Sequence, residues 1–245
     1  MEDIFFEAFE GMGRLGPGSD ASTRKAADLF GRKNADLSIL DAGCGNGIQT
    51  LVLAEVFPDA RITALDNYAP FLENLKREAK KKGVARRLTT VCASLEKLPF
   101  PDASFDLIWS EGAIYVIGFE RGLREWKRLL KPGGALVCSE VCWLTSSPAP
   151  EIAAFWQKEY PEIGTVEEKL KAAEKAGYGS HRYFHLPSSD WEGYYGGVQK
   201  NLDRMRTVHA GNPEAREVIG ELQEEIDLFR RYGDQYGYVF FGLFV

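Results

Sequence analysis

Leu37–Ala42 is a short apolar run that ends in Asp41-Ala42-Gly43-Cys44-Gly45-Asn46-Gly47, and a helix-forming stretch, Ile48–Phe57, follows directly. A buried strand that turns through three glycines into a helix restricts the fold more than any other feature of the chain. The glycines let the backbone bend sharply and leave room for another molecule to approach. The helix beyond them presents free N–H groups and the positive end of its dipole.

The alternation continues downstream. Arg61–Leu65 reads as a second strand ending at Asp66, followed by a helix over Phe71–Lys82 that Gly83 stops. Lys80-Lys81-Lys82 sits where cations complement a helix C-terminus. Leu88–Cys92, Phe105–Ser110 and Ala135–Trp143 read as strands three, four and five, with a helix over Gly122–Leu130. Strands and helices that alternate at this spacing form a parallel sheet covered on both faces. Such sheets bind ligands beyond the carboxyl ends of their strands, where the strand order reverses. The residues just after strands one to four are therefore the candidates for chemistry.

Beyond Trp143 the pattern changes. Glu151–Tyr160 and Val166–Ala176 read as helices, His181–Leu186 as a sixth strand and Tyr238–Val245 as the last. About fifty residues separate these two strands, too many for a simple loop. They contain a helix over Pro213–Tyr232, with Val218, Ile219, Leu222, Ile226 and Phe229 on one face. At the other end, Ile4, Phe5, Phe6 and Phe9 form a short apolar helical face. Gly11, Gly13, Gly16, Pro17 and Gly18 follow as a loop, then a helix from Ser19 to Phe30 capped by Ser19 or Asp20. The predicted fold is α/β and Rossmann-like: a doubly wound, mostly parallel seven-stranded sheet with helices on both faces and a helical insertion before the last strand.

Composition narrows the partners. A net charge of −6 over 245 residues disfavours nucleic acid, whose binding depends largely on neutralising phosphates. Cys44, Cys92, Cys138 and Cys142 form no CxxC pair, and three histidines add little, so no metal site is expected. Cys92, Cys138 and Cys142 lie in apolar runs and are expected to be buried. The acidic start and the lack of any run near twenty apolar residues predict a cytoplasmic protein with no membrane partner. Oligomeric state is not readable.

The glycine spacing separates cofactors. A dinucleotide turn follows G-x-G-x-x-G, but here Ile48 occupies the third glycine's place and Gly47 comes one residue early. Nor does a Gly-Lys-Ser/Thr sequence follow, as a Walker loop requires. In contrast, Ile39-Leu40-Asp41-Ala42-Gly43-Cys44-Gly45-Asn46-Gly47 resembles the first motif of the class I S-adenosylmethionine-dependent methyltransferases. Asp66, Phe105-Asp106-Leu107-Ile108-Trp109-Ser110 and Leu130-Lys131-Pro132-Gly133-Gly134 resemble, in order, later motifs of that family. The resemblance covers about residues 35–143.

It implies S-adenosyl-L-methionine as cofactor. The insertion, with aromatics such as Trp191, Tyr194 and Tyr195 and a few polar groups, suits a small-molecule methyl acceptor. With the element pattern, the chain divides into an N-terminal helix and gating segment (1–34), a cofactor-binding core (35–186), a helical cap (187–237) and the last core strand (238–245). Asp66 is expected to hold the two ribose hydroxyls, with Asn67 joining it or touching adenine. Gly43, Cys44 and Gly45 line the turn. Asp41 either attracts the methionyl end or fixes the turn. The family often has an acidic residue after strand three; here Ser94 and the backbone N–H of Leu95 are the candidates for adenine. Gly18 in the gating segment and Ser110 after strand four complete the expected cofactor set. Glu111 and Tyr115 are the candidate catalytic groups. Glu111 serves either as general base or as an anchor for the N-terminal loop or a substrate amine. The alternative is a cofactor-binding, non-catalytic module of the same fold.

Overall fold

A computed structural model describes residues 2–32 and 36–245; the side chains of residues 2 and 3 are not described. The expected boundary between residues 34 and 35 lies outside the described residues. The core begins with α2 (Asp20–Phe30). The Ser19 side chain caps it by accepting from Ser22 N, and Gly31 closes it in the left-handed conformation. Then come β1 (Ser38–Ala42), α3 (Ile48–Val56), β2 (Arg61–Asp66), α4 (Ala69–Lys81), β3 (Leu88–Cys92) and β4 (Phe105–Ser110). The 3-10 turn Ile114–Ile117 leads into α5 (Phe119–Lys127) and β5 (Leu130–Trp143). The second half holds α6 (Pro150–Glu159), β6 (Gly164–Thr165), α7 (Val166–Lys175), β7 (Ser180–His185), α8 (Ser188–Val208), α9 (Pro213–Tyr232) and β8 (Tyr236–Phe244). A short N-terminal helix, α1, spans Glu2–Glu7.

The strand order is β3-β2-β1-β4-β5-β8-β7. The first five strands in that order are mutually parallel, whereas β8 runs antiparallel to both β5 and β7. The sheet is thus the expected mostly parallel one. Its eighth strand is the two-residue β6, which pairs with the end of β5 and is too short to leave a sequence pattern. The strand order reverses between β1 and β4, so the crevice opens between the turn after Ala42 and the segment after Ser110.

Period-two alternation splits the sheet residues between two cores. Ile39, Leu107, Trp109 and Val137 join a cluster beneath α2, α8 and α9. Their chain neighbours Leu40, Ile108, Leu136 and Cys138 join another beneath α5 and α7.

Three expectations are corrected. The helix placed at Gly122–Leu130 begins earlier, at Phe119, and stops at Lys127. Leu130 instead pairs with Phe105, with a bulge before Leu107. Cys92 is exposed rather than buried, because it ends the edge strand β3. The insertion also contains a second long helix, α8. Gly193, Gly196 and Gly197 weaken its intrinsic propensity. Packing supplies what propensity lacks: Trp191, Tyr195, Val198, Leu202 and Met205 are buried along one face. No described helix is long and apolar enough to cross a membrane.

Candidate active site

The glycine turn is fixed by its surroundings. Gly43 and Gly47 have φ of +78° and +81°. A side chain at Gly43 would collide with Ala113 Cβ at 2.3 Å, and one at Gly47 with Leu75 Cδ1 at 2.4 Å. The backbone N–H groups of Gly43 and Cys44 donate to Leu65 O at the end of β2. Asp66, one residue on, accepts from Gly45 N at 2.8 Å with one oxygen and from Tyr68 N at 3.0 Å with the other. The acidic side chain is thereby aimed across the turn, and each oxygen keeps a lone pair for another donor.

A cavity of about 310 Å³ opens here. Gly43, Cys44, Gly45, Asp66 and Asn67 form one side of it, and Ser94, Leu95, Glu111 and Tyr115 contribute to the rest. The other three expected cofactor residues stand outside this lining. Asp41 and Ser110 are fully buried, and Gly18 lies beside Arg14 and Glu111. Asp41 Oδ2 accepts from Thr50 Oγ1 at 2.5 Å, while Asp41 Oδ1 and Ser110 Oγ are buried without a partner among the described residues. Burial pushes the Asp41 carboxyl up to about 7; Thr50 opposes the rise, and nearby Glu111 and Asp66 add to it. Ser94 Oγ accepts from Glu96 N, and Glu96 and Phe71 also line the cavity.

Glu111 is half of a junction whose other half, Arg14, sequence reasoning missed. Its Oε2 accepts from Arg14 at 2.9 Å, and its Oε1 accepts from Thr23 Oγ1 at 2.8 Å and Trp109 Nε1 at 2.9 Å. Arg14 also donates to Asp20 and Thr23, both at 3.0 Å. Burial raises the Glu111 carboxyl above the usual range, against the pull of Arg14, Thr23 and Trp109. Arg14 itself lines the cavity. Nothing in the local sequence marks it, because its partner lies 97 residues away.

The N-terminal segment is laid over the crevice and onto the cap. Asn201 on α8 donates to Ala8 O and Glu10 O, both at 3.0 Å. His209 Nε2 meets Glu7 at 2.8 Å. Phe6 stacks on Tyr68, and Phe9 stacks on Tyr194 of α8. At Gly197 a side chain would stand 3.0 Å from Met12 Cε, so this glycine permits the close approach.

Behind the segment lies a second cavity, of about 770 Å³, between the sheet, α6, α8 and α9. Aromatic rings form much of its wall, among them Phe9, Trp156, Tyr160, Trp191, Tyr194 and Tyr238. Leu15, Gly16, Pro17, Gly112 and Tyr115 line both cavities, so the two meet there. Gly112 is held at this junction by its N–H, which donates to Ser139 Oγ at 2.8 Å. Of the two candidate catalytic groups, Tyr115 stands where the cavities join, and Glu111 lines the smaller cavity alone.

Known proteins resemble this chain in sequence and in fold. A family profile described as a methyltransferase domain matches residues 40–138. The malonyl-[acyl-carrier protein] O-methyltransferase of Methylovorus sp. (strain MP688) is 33% identical over 82% of this chain and 72% of its own length. The chain belongs to the class I S-adenosylmethionine-dependent methyltransferases. The sarcosine/dimethylglycine N-methyltransferase of Halorhodospira halochloris is 27% identical over 93% of the chain and 82% of its own length. Other matches are partial: that to the malonyl-[acyl-carrier protein] O-methyltransferase of Herminiimonas arsenicoxydans spans 40% of that enzyme. A methyltransferase from Geobacter sulfurreducens, solved with S-adenosyl-L-homocysteine, superposes with a TM-score of 0.83. It covers 99% of this chain and 98% of its own at 20% identity, which establishes the shared fold.

The residues present fit the family's cofactor, S-adenosylmethionine. Asp66 is a bidentate acceptor suited to vicinal hydroxyls, and Arg14 is a cation suited to a carboxylate. Gly43 and Gly45, without side chains, leave space between them.

Proposed function

We propose that the protein transfers a methyl group from S-adenosylmethionine to a small acceptor held in the larger cavity. The observation that carries this reading is the meeting of the two cavities at Leu15–Pro17, Gly112 and Tyr115. When bound, the cofactor supplies a methyl group on a positively charged sulfur with a good neutral leaving group. What the chain must then provide is alignment and exclusion of water. Asp66 grips the ribose, and Asn67, Ser94 and Leu95 border the adenine. Arg14 takes the methionyl carboxylate, and the glycine turn sets the depth of the ligand. Tyr115 orients the acceptor at the junction. Glu111, occupied by three donors, acts as the anchor that holds Arg14 and the N-terminal segment in place, the second of its two expected roles.

The size of the second cavity, about 770 Å³, and its cover by α8 and α9 support a small acceptor over a macromolecular one. The relatives' names span oxygen and nitrogen methylation, so they do not choose the atom. Calorimetry with S-adenosylhomocysteine and mass spectrometry of a small-acceptor panel test the proposal. Micromolar binding and a product 14 mass units heavier support it; binding without transfer across the panel favours the non-catalytic alternative.

A further inference from the structure

The larger cavity has a charge pattern that its apolar walls do not require. Five carboxylates line it, those of Glu151, Glu159, Glu221, Glu224 and Glu225, against one ammonium, that of Lys158. Glu151 is neutralised by Arg231, and Lys158 by Glu159. Glu225 is different. Its carboxylate accepts one hydrogen bond, from Tyr195 Oη at 2.8 Å. No cation among the described residues lies within ion-pair reach of it, and the one charge that acts on it appreciably is a second carboxylate, Glu159. Its field reaches the hydroxyls of Tyr115, Tyr194 and Tyr238, all on the cavity wall. Burying a carboxylate among rings without a counter-charge is costly. The same geometry is favourable once a cation enters, because ring faces and a carboxylate both attract it.

Glu225 thus stands in a cavity wall framed by the rings of Tyr115, Tyr194 and Tyr238. One uncompensated carboxylate among ring faces suits a ligand that carries a cationic nitrogen.

We infer that the acceptor is a molecule carrying an ammonium group by which it is recognised, and that Glu225 is the residue that selects it. This rests on the assignment of the larger cavity to the acceptor, and it narrows the acceptor's class.

The test compares three probes of matched shape at pH 7.5: 2-phenylethylammonium, 2-phenylethanol and phenylacetate. Binding is read by tryptophan fluorescence, with and without saturating S-adenosylhomocysteine. The ammonium is expected to bind about ten-fold or more tightly than the alcohol, and the carboxylate least of all. Glu225→Gln is expected to remove that preference while leaving S-adenosylhomocysteine affinity unchanged. Equal binding of alcohol and ammonium, no binding of the ammonium, or a preference that survives in Glu225→Gln would overturn the inference. The wild-type comparison decides by itself if the variant does not fold. Failure to bind S-adenosylhomocysteine would instead sink the reading of the smaller cavity, since the probe preference is measured without it as well.

Discussion

Arg14 and Glu111 are 97 residues apart in sequence and joined at 2.9 Å, with both side chains largely buried. The pair ties the N-terminal segment to the carboxyl end of β4, and the same guanidinium faces the smaller cavity. Removing it leaves Glu111 two neutral donors and no cation. Arg14→Ala is therefore expected to lower S-adenosylmethionine affinity roughly ten-fold or more and to speed protease cleavage between residues 8 and 18. Calorimetry and timed limited proteolysis, each with and without cofactor, measure the two effects. Unchanged cleavage would mean that the contacts to α8 hold the segment alone.

Asp66 is expected to act on affinity more than on folding. Its oxygens accept from Gly45 N and Tyr68 N, but the side chain lies at the cavity rim rather than in a core. Losing charge-assisted bonds to two ribose hydroxyls costs about 1.5–3 kcal/mol each. Asp66→Ala should thus bind S-adenosylhomocysteine at least about ten-fold more weakly with a thermal midpoint close to wild type. Wild-type affinity in this variant would contradict the ribose role.

The cofactor half of the molecule was legible in sequence because its signals are local. The strand, the glycine turn and the helix lie within Ser38–Val56, and Asp66 closes the next strand. Arg14 was not legible, since its meaning depends on Glu111, 97 residues along the chain. Helix α8 was hidden for a different reason. Gly197 serves the approach of Met12, but together with Gly193 and Gly196 it reads in sequence as a helix breaker. Glu225 carries no signal of its own in sequence, being one of several acids along α9. Only the packing of α9 against α8 turns it toward the tyrosines.

The larger cavity's far wall rests on a buried ion pair. Lys169 donates to Glu140 Oε1 at 2.5 Å, the side chains being 5% and 0% exposed, and Tyr160 donates to the same oxygen at 2.7 Å. Tyr160 also lines the cavity and meets Tyr115 edge-on, with ring centres 6.0 Å apart. Lys169→Met strands the Glu140 charge and should destabilise the fold by about 3–5 kcal/mol, lowering the thermal midpoint by roughly 6–20 °C. The double variant Lys169→Met/Glu140→Gln removes that charge and should recover much of the loss. Equal midpoints for single and double variants would show that the pair's packing, not its charge, matters.

Asp41 gives the site a pH dependence whose sign is fixed by its burial. Its carboxyl titrates near 7 in the folded protein against about 3.9 when unfolded. Below about pH 4 both states are protonated and the burial penalty is absent. Between about pH 4 and 7 only the unfolded chain releases the proton, so stability falls, by up to about 4 kcal/mol, and then levels off. Asp41→Asn cannot ionise, so its stability relative to wild type should grow as pH rises through this window in denaturant titrations. Asp41 interacts with Glu111, Asp66 and Arg14, all on the cavity wall, so a positively charged ligand there favours the ionised carboxyl. Binding then releases a proton, and S-adenosylmethionine affinity should rise from pH 6 to 8 in wild type and stay flat in Asp41→Asn. A wild-type affinity independent of pH across this range would show that the Asp41 charge does not reach the cofactor.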